Sequence, residues 1–159
     1  MFIKFTEFVI WFIGLIGLVL VLRTCKVEAG PLDLGRAASQ MGFKAPIEVM
    51  AAIDEASKAY GVDPIKMLKV AIIESSLNPR AVNYNTNGTL DIGLFQINEI
   101  IANGECQAFN VFNLKGNCSC AAIVLKRHRN SHDPFWIGRY HSLTLDKKLN
   151  YYRKVEALK

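Results

Sequence analysis

Two carboxylates, Glu74 and Asp91, bracket the stretch of this chain that could do chemistry. Glu74 closes the apolar run Val70-Ala71-Ile72-Ile73, and Asp91 shortly precedes Gly93-Leu94-Phe95-Gln96-Ile97-Asn98. An acid at the dry end of a helix, facing a second acid across a small hairpin, suits cleavage of a glycosidic bond. Desolvation and the negative end of the helix dipole both favour the neutral form of Glu74. A glutamic acid that keeps its proton near neutral pH can give it to a leaving oxygen. Asp91 can act as nucleophile or charge stabiliser; it can equally hold a hairpin together through backbone hydrogen bonds.

The elements that must position these groups are mostly helices. Asp63-Pro64 reads as an N-cap and a first-turn proline, and Pro79 bars continuation, so Glu74 falls in the last turn. The residues between are apolar nearly all round, which predicts a buried helix. An earlier helix is expected over Pro46 to Tyr60, with Ile47, Met50, Ile53 and Ala56 on one face and Gly61 as its stop. Val82 to Ile92 alternates around Asn87-Gly88, a hairpin signal, with Asp91 facing away from Leu90 and Ile92. The run that follows is expected to be extended, with Gln96 and Asn98 on its wet side. After an irregular stretch holding a helical turn at 99–102, Cys118, Ala121, Ala122 and Leu125 mark another helix seam. Asp133-Pro134 starts a further short element, and a last helix begins at Asp146 with Leu149, Tyr152 and Val155 inward.

The chain has 159 residues and a formal net charge of +5, room for one core. Much of the positive charge lies late, at Lys126, Arg127, Arg129, Arg139, Lys147, Lys148, Arg153 and Lys154. Solvated helix faces account for it, and acidic substituents on a polymeric substrate would suit it. A nucleic-acid partner is not expected, because no aromatic-basic platform or helix-turn-helix signal accompanies the charge. Phe8 to Leu22 is an uncharged apolar stretch, read as an uncleaved membrane anchor first and as a cleaved signal second. The expected organisation is therefore an anchor or signal over 1–29, a spacer with at most a loose turn over 30–45, and a domain over 46–159. Both readings of residues 1–29 send that domain out of the cytoplasm, where disulfides persist. The cysteines are Cys25, Cys106, Cys118 and Cys120; Cys106 with either Cys118 or Cys120 would close a short loop. Cys118-Ser119-Cys120 lacks metal-ligand spacing, so no metal is expected.

Glu74-Ser75, the GLFQIN run over 93–98 and Arg139-Tyr140-His141-Ser142 together resemble the motif set of the lysozyme-like bacterial lytic transglycosylases, the SLT domains. The likeness extends over about Ile47 to Val155. It is nearest to the small branch that serves secretion, conjugation and pilus systems and some phage virions. The resemblance implies a mainly α fold with a small β-hairpin (α+β), lysozyme-like, behind the N-terminal apolar segment. It implies cleavage of the β-1,4 bond between N-acetylmuramic acid and N-acetylglucosamine, with Glu74 as acid and base and no cofactor. It places Ser75, Gln96, Asn98 and Tyr140 on the substrate and makes Asn117 structural. Implied partners are peptidoglycan strands, the membrane through residues 8–22, and a secretion, conjugation, pilus or phage-entry complex. A hydrolase using Glu74 with Asp91, and a non-catalytic adaptor of the same shape, are the alternatives.

Overall fold

The computed structural model describes residues 30–159; the apolar segment assigned to 1–29 lies outside them. Six α-helices and one three-stranded antiparallel sheet make up the described residues, in agreement with a mainly helical α+β fold. Helix α1 runs over Pro31–Gln40, α2 over Ile47–Tyr60 and α3 over Pro64–Ser75. Strands β1 (Val82–Tyr84), β2 (Leu90–Ile92) and β3 (Ile97–Asn98) follow, then α4 (Glu99–Asn103) and α5 (Leu114–Arg129). A 3-10 helix over Trp136–Tyr140 leads to α6, Leu145–Ala157.

The 30–45 segment is not a spacer. Ten of its residues form α1, whose Leu34 and Ala38 are fully buried against α2. Five of its ten residues are apolar but only those two are fully buried, and the helix is held by the surface it covers more than by its own composition. Helix α2 packs against α1, α3 and α5. That is why its buried set widens to Val49, Met50, Ala52, Ile53 and Ala56 while Ile47, at the first helical position, is exposed.

Helix α3 is the internal one. Met67, Leu68, Val70 and Ala71 are fully buried. Asp63 caps it, its carboxylate accepting from the amides of Ile65 and Lys66. The helix stops when Ser76 and Leu77 both turn left-handed, at φ 53° and 66°. Non-glycine residues adopt that conformation at a cost, and the immediate neighbourhood of a working group is where such strain is kept.

The hairpin pairs Val82 with Ile92, Asn83 with Asp91 and Tyr84 with Leu90. Its loop turns at Gly88, φ 83°, where a side chain would be strained. The third strand was not foreseen: Ile97 and Asn98 pair with Ile92 and Asp91. Between β2 and β3 the chain makes a turn over residues 93–96, not an extended run. Gln96 sits at φ 46°.

A disulfide joins Cys106 to Cys120, selecting one of the two pairings left open and leaving Cys118 free and buried. It ties the loop after α4 to the middle of α5, across a sequence separation of 14. A loop of that size restricts the unfolded chain enough to contribute about 3 kcal/mol. The double variant Cys106→Ser, Cys120→Ser is expected to lose that much in urea denaturation, with a lower midpoint and a little-changed native circular dichroism spectrum.

Candidate active site

The end of α3, the sheet, α5 and the 3-10 helix enclose an open cleft of about 520 Å³. Glu74 and Asp91 both line it, as do Gln96, Asn98 and Tyr140. Five of the six residues singled out by sequence therefore converge on one cavity. Ser75 does not line it.

Glu74 is half-buried, and burial is the main force on its carboxyl group. The loss of solvent raises its pKa from 4.5 to about 7; a hydrogen bond from Tyr151 lowers it in part, and the Asp91 charge raises it further. The Tyr151 hydroxyl donates to Glu74 Oε1 at 2.5 Å. Tyr151 itself is buried, and the His141 ring stacks on it at 5.2 Å, with the planes 6° apart. Helix α6 thus reaches across to fix the rotamer of an acid carried on α3.

Sequence reasoning missed Tyr151. It placed Leu149, Tyr152 and Val155 inward, whereas Tyr151 and Val155 are the buried residues of α6 and Leu149 and Tyr152 are half-buried. The spacing of Tyr151 and Val155, four apart, was the available signal. Removing the hydroxyl in Tyr151→Phe takes away the interaction that favours the carboxylate. The pKa of Glu74 is then expected to rise by about one unit, seen directly by NMR titration of the Glu74 side-chain carbon.

Asp91 is held by the sheet. Asn98 Nδ2 donates to Asp91 Oδ1 at 2.7 Å and lies 2.9 Å from Thr89 Oγ1. Thr89 in turn meets Asn85 Nδ2 at 3.1 Å and donates to Asn87 Oδ1 at 2.8 Å. Asn98 also caps α4 through Ile100 N, at 3.1 Å. This amide and hydroxyl network forms the neutral, hydrogen-bonding wall of the cleft.

The turn over 93–96 is pinned from two sides. Gln96 Nε2 donates to the carbonyls of Gly93 and Ala81, at 2.9 and 3.3 Å. These bonds to the carbonyls flanking the hairpin stabilise the left-handed Gln96 that the alternating sequence pattern could not show. On the buried side, Asn117 accepts from Phe95 N at 2.9 Å and donates to Ile92 O and Val111 O at 2.8 and 3.0 Å. Gly93, at φ 75°, has no room for a side chain: a Cβ there would stand 2.5 Å from Asn117 Nδ2.

Ser75 and Tyr140, like Gln96 and Asn98, are engaged with backbone. Ser75 Oγ donates to Leu94 O at 2.7 Å, tying the last turn of α3 to the 93–96 turn. Its hydroxyl is used for that tie, which explains why it stays out of the cleft. Tyr140 OH donates to Phe95 O at 2.8 Å. Burial first, then the charge of Glu74, raises its pKa well above the ordinary tyrosine range, so it remains a neutral donor.

The opposite wall is basic. Arg127, His128 and Arg139 line it. Burial, then the charges of Arg127 and Arg139, pull the His128 pKa down to about 4, so its ring is neutral at pH 7. Burial and the Lys154 and Lys147 charges also lower that of His141. Among the described residues no cluster of His, Cys, Asp and Glu could hold a metal ion.

An acid still partly protonated at neutral pH, a second carboxylate and an open cleft lined by hydrogen-bonding groups can together protonate a glycosidic oxygen and stabilise the positive charge left behind. The family model of the transglycosylase SLT domain matches residues 51–136, more than half of the chain. Glu74, Asp91, Gln96 and Asn98 fall within the match; Tyr140 and Tyr151 lie beyond it. No curated protein and no solved structure matches the chain.

Proposed function

Since the chain belongs to the transglycosylase SLT-domain family, whose role is peptidoglycan cleavage, we propose that it is a lytic transglycosylase with Glu74 as both acid and base. Its target is the β-1,4 bond between N-acetylmuramic acid and N-acetylglucosamine. Glu74, whose raised pKa keeps a large share of it protonated at neutral pH, gives its proton to the bridging oxygen as the bond to the anomeric carbon breaks. The muramyl centre becomes oxocarbenium-like. Glu74, now a carboxylate, takes the proton of that sugar's own 6-hydroxyl, whose oxygen closes on the anomeric carbon to leave a 1,6-anhydro end. No water enters the balance. The observation that carries this reading is a carboxyl group of pKa about 7, held by Tyr151 in a cleft lined with neutral donors and acceptors.

Asn98, Gln96 and Tyr140 set the shape of the subsite, because each spends hydrogen bonds on the backbone or on Asp91. Asp91 favours a second reading. Its charge reaches Glu74 and it lines the same cleft, which suits a hydrolase that stabilises the cation and admits water. Digestion of purified sacculi followed by mass spectrometry of the fragments separates the two. Anhydro ends bear out the transglycosylase, reducing ends the hydrolase, and no released fragments the non-catalytic adaptor.

The apolar run over 8–22 and the Cys106–Cys120 bond support an extracytoplasmic site of action, tethered at the inner membrane. Local opening of the wall for an envelope-spanning machine is the role that the motif resemblance suggests.

A further inference from the structure

The two walls of the cleft do not match the charge of an amino-sugar backbone. The sheet side offers amides and hydroxyls, which suit N-acetyl sugars. The α5 and 3-10 side offers two guanidinium groups, for which a neutral glycan has no counterion. These groups are not fully satisfied by the protein either. Arg139 Nε is buried without a hydrogen-bond partner. Its Nη1 stands 3.5 Å from Asp133, a carboxylate already bonded by Lys148 at 2.7 Å. Arg127 pairs through one nitrogen with Glu105 and meets His128 Nε2 at 3.3 Å through the other. No carboxylate of this wall lines the cleft beside Arg127 and Arg139: their partners Glu105 and Asp133 lie outside the lining, and Asp133 is shared with Lys148. Leu143, exposed, and half-buried Ile101 line the same cavity and offer apolar surface to whatever the two guanidinium groups attract.

We propose that Arg127 and Arg139 form a subsite for a carboxylate of the peptide stem carried by the glycan, so that stem charge helps to seat the substrate. The inference rests on the reading of the cleft as a peptidoglycan site. In the intact wall the lactyl group of the muramyl residue is amide-linked, which leaves the stem as the source of free carboxylates. A guanidinium already half-desolvated loses little on pairing with one, and the fork geometry favours two parallel hydrogen bonds.

The test compares native sacculi with sacculi whose stem carboxylates have been converted to amides by carbodiimide and ammonia. The full chain is expected to cut the native preparation with about tenfold higher kcat/KM, mostly through KM. Arg127→Gln is expected to bring the ratio close to one. Glu105→Gln, which releases Arg127 from its present partner, is expected to widen it, and this variant keeps the test alive if Arg127→Gln fails to fold. Pelleting of the Glu74→Gln protein with each preparation reads the same preference without turnover. Equal pelleting with native and amidated sacculi, or a ratio unmoved by both variants, overturns the subsite. If no cleavage occurs on either preparation but the pelleting preference persists, the catalytic reading fails and the subsite stands.

Discussion

Glu74→Gln is expected to yield a folded protein that binds glycan and releases fewer than one thousandth of the wild-type products from sacculi. A positioned general acid contributes about 10²–10⁴ in rate, and here the same group also acts as the base, so both halves of the reaction lose their proton carrier. The substitution is close to isosteric, and the amide oxygen can still accept the Tyr151 hydroxyl. The structural consequence runs opposite to the catalytic one. The Glu74 pKa is raised from 4.5 to about 7. Below 4.5 the group is protonated in both the folded and unfolded chains. Between 4.5 and 7 the folded chain holds a proton that the unfolded chain has released, so wild-type stability falls as pH rises through that window. The ionised group then costs the fold at most about 3 kcal/mol. Glutamine has no such charge. Its urea midpoint should exceed that of wild type at pH 8 and match it at pH 4. His128 works in the other direction: its lowered pKa gives stability present above 6.5 and lost as pH falls toward 4. That contribution is common to both proteins and cancels in the comparison. A variant that retained activity would remove Glu74 from the reaction, and one that gained no stability at pH 8 would show that burial does not hold its carboxyl group above the ordinary range.

Asn117→Ala is the largest expected loss of stability. The side chain is 1 % exposed and makes three hydrogen bonds, one to each of Phe95 N, Ile92 O and Val111 O. Alanine leaves Phe95 N and Val111 O without the side chain that satisfies them and takes one of its bonds from Ile92 O, at about 1–3 kcal/mol for each buried group where water does not enter. A total of about 4 kcal/mol is a large part of the stability of a domain this size. The damage is directional, because these bonds are what fasten β2 and the 93–96 turn to α5. Hydrogen exchange should therefore quicken first at Phe95 and its neighbours, ahead of the α2–α3 core. Uniform acceleration across the domain would show that Asn117 serves overall packing instead.

The acid was legible in the sequence because its position depends on local rules. Asp63-Pro64 starts α3, Pro79 bars its continuation, and the apolar stretch between predicts burial; none of this needs a partner element. The hairpin was legible for the same reason, through Asn87-Gly88. What could not be read depends on contacts far apart in the chain. Gln96 belongs to a pattern that alternates like a strand, yet its amide finds the carbonyls of Ala81 and Gly93 and holds a turn. Helix α1 fully buries only Leu34 and Ala38, and the surface that they meet is supplied by α2, which its own residues do not announce. Tyr151 and Tyr152 are adjacent, and which of them faces Glu74 is set by how α6 rolls on the 3-10 helix. Ser75 carries the right motif letter, but its hydroxyl is taken by Leu94 O.

The unpaired Cys118 lies two positions before the bridged Cys120, an arrangement that ordinarily invites shuffling. Burial pushes its thiol up to about 12, so almost none of it is thiolate at neutral pH. Exchange needs the thiolate. The folded protein is thereby protected from scrambling itself during storage, and the hazard is confined to the nascent chain, before packing has shut that sulfur away.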